Sequence, residues 1–358
     1  MPAPTTSIPP ARAAAPAPRR PDVLTFDEVL ATDPARFRVL TGDRPTGPLH
    51  VGHLFGTLAS RVRLQRHGVE TVVVVADHQV VTDRDDPGDV RANVREVVLD
   101  QLAAGLDPDA TTFFVHSDVP ALHQLMLPFL SLVTVAELDR NPTVKAELAA
   151  SGRALSALLL TYPVHQAADV LSMQGTLVPV GSDQLPHLEL TRTIARRFNR
   201  RYGPTFTEPS ALLSQAPLVL GTDGTKMSKS RGNAIELRAD ADVTAAAVRR
   251  AVTDGERAIT YEPERRPQVA NLVLLGALAA GVTPQAFATH VGDGGAAALK
   301  TAVTEALVAH LAPLRARRAE LARDRFLVPD VLARGAERAR ELADATLSLA
   351  RVAMRQTG

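Results

Sequence analysis

The stretch Thr41-Gly-Asp-Arg-Pro-Thr-Gly-Pro-Leu-His50-Val51-Gly52-His53 decides how the rest of the chain reads. An apolar, strand-like run, Phe37-Arg38-Val39-Leu40, leads into it, and a helix-like run, Leu54 to His67, follows and can end at Gly68. Three glycines and two prolines in the turn let the backbone come close to a ligand, because glycine tolerates positive φ. The helix N-terminus beyond it offers N–H groups and a positive dipole end, which suit phosphate. His50 and His53, three apart in the first helical turn, share a side and can donate to phosphate oxygens. A tight turn carrying two surface histidines explains this stretch equally well when it is taken alone.

Around it the chain alternates strand and helix. Thr71 to Ala76 is a continuous β-branched run, as expected of a parallel strand buried on both faces. Asp77-His78-Gln79 follow at its C-terminal end, where open α/β sheets bind ligands. Pro87 to Leu106 reads as a helix capped by Asp86, with Val90, Val94, Val97, Val98 and Leu102 inward and Gly105 closing it. Thr111 to His116 and Leu177 to Val180 read as strands. Leu122 to Leu138, Ala154 to Met173 (interrupted near Tyr162-Pro163) and Leu185 to Arg201 read as helices.

After Asn233, alanine-rich helical patterns take over. Val303, Leu307, Leu311 and Leu314 form one apolar stripe, and Leu342, Ala345, Leu349 and Val352 suggest another. Residues 1–22, mostly Pro, Ala, Thr, Ser and Arg, read as a disordered tail with no secretory apolar region. The expected division is a tail at 1–22, a Rossmann-like parallel-sheet domain at 23–235 and an all-helical domain at 236–358.

Composition narrows the function classes. With 45 % apolar and 22 % charged residues the chain reads as a soluble globular protein. The longest apolar region, Val269 to Val282, is broken by Asn271 and too short to span a bilayer. No cysteine is present, which excludes disulfides, thiolate catalysis and sulfur-based metal sites, and fits a cytoplasmic protein. The formal charge of +1 announces no nucleic-acid partner, although arginines cluster at Arg192 to Arg201, Arg249-Arg250 and Arg315 to Arg318. Each cluster alone reads as a solvated helix face.

A second motif breaks the tie left by the first. Asp223-Gly-Thr-Lys226-Met227-Ser228-Lys229-Ser-Arg-Gly-Asn233 sets two lysines three apart among small residues, a doubly cationic loop able to fold over a polyphosphate. Together, His50-Val-Gly-His53 and Lys226-Met-Ser-Lys-Ser230 resemble the two signatures of class I aminoacyl-tRNA synthetases. Leu160 to Leu171, Val178 to Gln184, His187 to Arg192, Arg197-Phe-Asn199 and Ala251 to Asp254 are similar to the tryptophanyl members.

That resemblance implies ATP-dependent activation of tryptophan and transfer to tRNA(Trp), with Mg²⁺ accompanying ATP and no metal held by protein side chains. It assigns His50, His53, Lys226 and Lys229 to the phosphates, and Gly42, Arg44, Gly52, Gly181, Asp183, Met227 and Ser228 to the nucleotide pocket. Tyr162 and Gln184 would hold the substrate ammonium, Asp169 the indole N–H, and Leu40, Val178 and Val180 the apolar walls. The family also implies a homodimer and a helical domain that reads tRNA.

Two positions depart from the common bacterial pattern: Gln166 stands in place of methionine and Gln79 in place of histidine. Tyr162-x₃-Gln166-x₂-Asp169 is also how tyrosyl enzymes hold tyrosine, which keeps tyrosine as the runner-up. The two departures resemble divergent auxiliary tryptophanyl enzymes and imply tolerance of indolmycin-like inhibitors. Small nucleotidyltransferases share the first motif but lack the second, and a non-catalytic descendant would be expected to have lost one of the two. The absence of tryptophan from the chain reads either as an adaptation to tryptophan scarcity or as compositional drift.

Overall fold

In the computed structural model, described for residues 22–356 apart from 83, 153, 182–183, 214–218 and 228–231, six parallel strands form one sheet. They are β1 (Val23–Leu24), β2 (Arg38–Asp43), β3 (Glu70–Val75), β4 (Thr111–Val115), β5 (Leu177–Val180) and β6 (Ser210–Leu213). Their order is β1-β6-β5-β2-β3-β4. The chain builds outward from β2 through β3 to β4, then crosses back so that β5 pairs with β2 at Val39↔Leu177. The strand order therefore reverses between β2 and β5, and a ligand crevice is expected at their carboxyl ends.

Alternate residues at the strand centres enter different cores, which is why those central positions are apolar. Leu40, Val72, Val74, Phe114, Val178 and Val180 face one side. Val73, Val75, Phe113 and Val115 face the other. Of the expected tail at 1–22, residues 1–21 lie outside the described residues, while Asp22 is part of the fold and accepts from Ala211 N–H (2.9 Å). Strand β1 escaped the sequence reading because two residues are too few to show a period, and β6, Ser210-Ala-Leu-Leu213, because it carries no β-branched residue.

Several helix boundaries differ from expectation for identifiable reasons. The helix Val90–Ala103 starts three residues after Pro87, because the Asp89 carboxylate accepts from Ala92 N–H and caps it there. Leu122 to Leu138 is two helices, Pro120–Leu130 and Val135–Asp139, the second opened by a Thr134–Glu137 capping box. Pro163 does not interrupt Ala157–Ser172, which runs through it.

The largest correction concerns the last helix, Leu327–Ala353. Leu349 and Val352 are exposed, and the buried face is Ala336, Ala339, Ala343, Thr346, Leu347 and Ala350. Its early residues Val328 and Val331 pack on one sheet face, while Ala339, Ala343 and Leu347 pack on the other. The helix thus crosses the free edge of β4, with Gly335 against the Phe113 backbone. Small residues face inward because larger ones would hold the helix away from the strand. The crossing covers an edge that would otherwise invite pairing.

A further core joins the helices Ala241–Arg250, Pro267–Ala280 and Gly295–Leu321 to Leu49, Val51, Leu54, Phe55 and Leu58 at the first motif. Buried Asp100 reinforces this junction: it accepts from Leu49 N–H (2.9 Å) and from Arg318 Nε (2.6 Å). Among the described residues no single helix is long and apolar enough to cross a membrane, and the apolar bent pair at 267–291 is largely core.

Candidate active site

Backbone pairing brings the two motifs together. Val51 N–H donates to Ile235 O (2.9 Å) and Leu237 N–H to Leu49 O (3.0 Å), so the chain leaving the second motif runs antiparallel to the turn of the first. Buried Asn233 holds the base of the lysine loop. Its amide donates to Asp223 Oδ1 (2.8 Å), Thr225 Oγ1 (3.2 Å) and Lys226 O (3.2 Å). Gly221 is required beside it, since a Cβ there would lie 2.4 Å from the Asn233 amide. Asn271, the polar break in the apolar run, exchanges two hydrogen bonds with the Leu220 backbone.

His50 is the N-cap of the motif helix, and its N–H donates to His53 Nδ1 (3.2 Å). In a neutral His53 ring the proton therefore sits on Nε2. The two rings stand 3.8 Å apart. Gly52 has no room for a side chain between the His50 ring and Met227 Sδ. The helix then makes a π turn at Leu54–Leu58 before continuing as Ala59–Arg66, a distortion that recurs at functional sites.

A cavity of about 400 Å³ opens where β2 and β5 end. Leu40, Val178 and Val180 line it with apolar surface, and Tyr162, Gln166 and Asp169 enter from one face of Ala157–Ser172. Gln79 and Gln184 complete this end. Gly42, Arg44, His53, Gly181 and Lys226 line the same cavity. His50, Gly52 and Met227 pack beside it without lining it. Asp183, Ser228 and Lys229 lie outside the described residues. Tyr162 is held from behind: its hydroxyl meets His187 Nε2 (2.8 Å), whose Nδ1 meets the Asn141 amide (3.2 Å).

Sequence reading missed three features. Arg61, 1 % exposed, lines the cavity and bonds Thr41 Oγ1 (3.0 Å), Asp43 Oδ2 (2.5 Å) and Gln101 Oε1 (3.0 Å). It reads in sequence as one more arginine of a polar helix, and only its burial marks it. Glu147 also lines the cavity, and its Oε2 is buried without a hydrogen-bond partner.

The third is a group of histidines. His116 Nε2 lies 2.9 Å from Asp169 Oδ1, His165 Nδ1 lies 2.6 Å from the Gln79 amide, and His123 Nδ1 lies 3.0 Å from His165 Nε2. Burial opposes protonation of His116, but the Asp169 carboxylate overrides it and raises its pKa. His165 is held down to about 4 by burial, with neighbouring His116, His123 and His78 adding to the repulsion. These residues come from four separate segments, so no sequence spacing announces them.

A parallel sheet with a crevice at its switch point, closed by a histidine turn and a lysine loop, defines a class I synthetase architecture. The family model described as tRNA synthetases class I (W and Y) matches residues 32–312, and the chain belongs to that family. The tryptophan–tRNA ligase of Clostridium longisporum is 41 % identical over 320 residues, covering 86 % of this chain and 94 % of that protein. The crystal structure of tryptophanyl-tRNA synthetase from Mycoplasma pneumoniae superposes with a TM-score of 0.78 at 28 % identity, over 90 % of this chain and 98 % of that one. That of Campylobacter jejuni, complexed with ADP and tryptophan, gives 0.74 at 27 %, over 88 % and 99 %. Within the family the chain falls with the tryptophanyl enzymes.

Proposed function

We propose that the protein is a tryptophan–tRNA ligase that activates tryptophan with ATP and then esterifies tRNA(Trp). The observation that carries this reading is the single cavity in which an apolar end with Tyr162, Gln166 and Asp169 adjoins an end with Arg44, His53 and Lys226. Tryptophan would place its indole between Leu40, Val178 and Val180, with its N–H donated to Asp169. Its ammonium group would meet Tyr162 and Gln184, and Glu147 adds a negative charge to the same cavity.

The substrate carboxylate oxygen attacks the α-phosphorus, the α–β bridging P–O bond breaks, and pyrophosphate leaves. The tRNA terminal hydroxyl then attacks the adenylate carbonyl and releases AMP. No covalent enzyme intermediate is needed; the site acts by positioning and by countering charge on the phosphates. His53 would donate from Nε2, and Lys226 and Lys229 would hold the departing pyrophosphate. Met227, packed against Gly52, would border the adenine. Asp43, the carboxylate that the described residues place in the phosphate turn, is paired with Arg61. Mg²⁺ therefore fits as a companion of the ATP oxygens rather than as an ion in a protein cage.

We assign residues 236–358 to tRNA recognition, in a cytoplasmic homodimer whose tRNA affinity falls steeply with salt. Gln166 sits beside Asp169 in a tryptophan site, and with Gln79 it should confer tolerance of indolmycin-like inhibitors. Inhibition as potent as that of a histidine-bearing relative would refute this last point.

ATP–pyrophosphate exchange, with each amino acid offered separately, tests the activation step and its substrate, and formation of the aminoacyl ester on added tRNA(Trp) tests the transfer. Exchange is expected with tryptophan alone. The Asp169→Ala variant should lose about 10- to 100-fold in kcat/KM for tryptophan, the cost of one hydrogen bond to a charged group. Exchange with tyrosine instead would overturn the substrate assignment.

A further inference from the structure

Four of the ten histidines meet behind the amino-acid end of the cavity. His78 belongs to the turn Asp77–Thr82 after β3 and His116 to the turn His116–Asp118 after β4. His123 lies on the helix Pro120–Leu130, and His165 on Ala157–Ser172 one turn before Asp169. Three of these groups converge closely: donor atoms of His116, His165 and Asp169 all lie within 4.8 Å of one another, and all three residues are buried. We propose that His116, His165 and Asp169, with His123 as a fourth group, bind one divalent transition-metal ion of the Zn²⁺ type.

The first support is geometric. His116 Nε2 and Asp169 Oδ1 are only 2.9 Å apart, yet neither atom has a partner at hydrogen-bond angles. Two complementary atoms that approach without aligning point to a common third position rather than to each other. His116 is 0 % exposed, and its Nδ1 has no hydrogen-bond partner either.

The second support is the donor set. Three imidazoles and a carboxylate suit Zn²⁺, Co²⁺ or Fe²⁺, whereas Mg²⁺ and Ca²⁺ favour oxygen ligands. His165 and Asp169, four apart on one helix, present their ligand atoms on the same face. Ligands at about 2.0–2.2 Å in a tetrahedron lie roughly 3.3–3.6 Å from one another. Closing a 4.8 Å set therefore requires side-chain shifts of about 1 Å.

His165 also has an orienting partner. With its amide turned so that the oxygen faces Nδ1, Gln79 accepts the Nδ1–H, and Nε2 is left to ligate on the side of His123. The Thr82 hydroxyl, 3.0 Å from the Gln79 amide, suits either orientation. Asp169 would offer the ion the oxygen that faces His116, so the site does not depend on what the other oxygen meets in the cavity.

The test uses the full chain without an affinity tag, stripped with a chelator and titrated with Co²⁺ in the absence of substrates. We expect one equivalent to give visible ligand-field bands that Zn²⁺ abolishes by displacement. His116→Ala and His165→Ala should each weaken binding by at least tenfold, and the exposed control His290→Ala should leave it unchanged. Circular dichroism of each stripped variant checks its fold. If either variant proves unfolded, His123→Ala, which removes a less buried ligand, takes its place. Absence of bands in the parent, or bands that survive the substitutions, overturns the proposal. Because the readout is metal binding alone, it stands or falls apart from the exchange assay.

Discussion

Substituting Gly335 by alanine should destabilise the protein although alanine is the better helix former. Propensity alone favours alanine in a helix interior by about 1 kcal/mol. At this position a Cβ would lie 1.7 Å from Phe113 O, 2.6 Å from its carbonyl carbon and 2.9 Å from its nitrogen. Real Cβ contacts essentially never fall below 3.0 Å, so the helix or the strand must retreat by about 1.3 Å, the difference between 3.0 and 1.7 Å. Strand β4 is hydrogen-bonded in register to β3 over five residues, so the helix is the partner that lifts. A gap of 0.5–1 Å already forfeits about a quarter to a half of each dispersion contact. The lift would loosen Val328 and Val331 on one sheet face and Ala339 and Ala343 on the other. Overpacking of this kind costs about 1–3 kcal/mol, which the propensity gain of about 1 kcal/mol partly offsets, so the net effect is a loss of about 1 kcal/mol, or roughly 1–2 °C in Tm for a chain of 358 residues. Paired thermal and urea melts of Gly335→Ala against parent would measure it, with the exposed Ala345→Gly as a propensity control. A variant as stable as the parent, or more stable, would refute the close crossing of helix and strand.

Two further outcomes test the lysine loop and an electrostatic cap. Asn233→Ala removes three hydrogen bonds that hold the base of the loop; their acceptors on Asp223, Thr225 and Lys226 are exposed, so the loss falls on the placement of the loop more than on stability. Pyrophosphate exchange should lose at least tenfold in kcat with little change in the KM for tryptophan; a change confined to KM would show that the loop base does not matter for phosphate handling. Glu137 is held at about 2 by its hydrogen bonds to Arg197 and to the Thr134 backbone. Because its folded pKa is depressed, its contribution is complete above the ordinary value of 4.5 and disappears as pH falls toward 2. The Glu137→Gln variant should therefore show a flatter acid limb in its urea midpoint between about pH 5 and pH 2.5. An unchanged slope would mean that this exposed pair adds nothing to stability.

What the sequence makes legible follows from which forces are local. The runs at β2, β3, β4 and β5 are readable because burial on both faces requires apolar residues at the strand centres, such as Val39-Leu40, Val72 to Val75 and Phe113 to Val115. The helix Leu185–Tyr202 keeps its expected inward set of Leu188, Thr191, Ile194 and Phe198 because one broad face meets the core. The last helix defeats the same method. Hydrophobicity points to Leu349 and Val352, but the sheet edge accepts only glycine and alanine, so close approach rather than side-chain size chooses the buried face. Arg61, illegible in sequence, is the same lesson in polar form: what makes it part of the site is three partners from two other segments, β2 and the helix Val90–Ala103.

The site itself was readable to the extent that chain chemistry and local period coincide. Tyr162, Gln166 and Asp169 fall four and three apart, so any helix over this segment presents them on one face, whatever the tertiary structure. That face reaches a ligand only because the chain crosses from β4 back to β5, which lays the helix over the switch point. The phosphate end is built differently: His53 in the first turn of the motif helix and Lys226 in the lysine loop are brought together by backbone pairing between the Leu49–Val51 and Ile235–Leu237 segments. The amino-acid end is therefore fixed by core packing and the phosphate end by this backbone pairing. Changes at Tyr162 or Asp169 disturb groups that are themselves buried among packed side chains, whereas changes at Lys226 disturb an exposed side chain whose charge is needed only when phosphate is present. Substrate choice is tied to stability in this architecture, and phosphate handling is much less so.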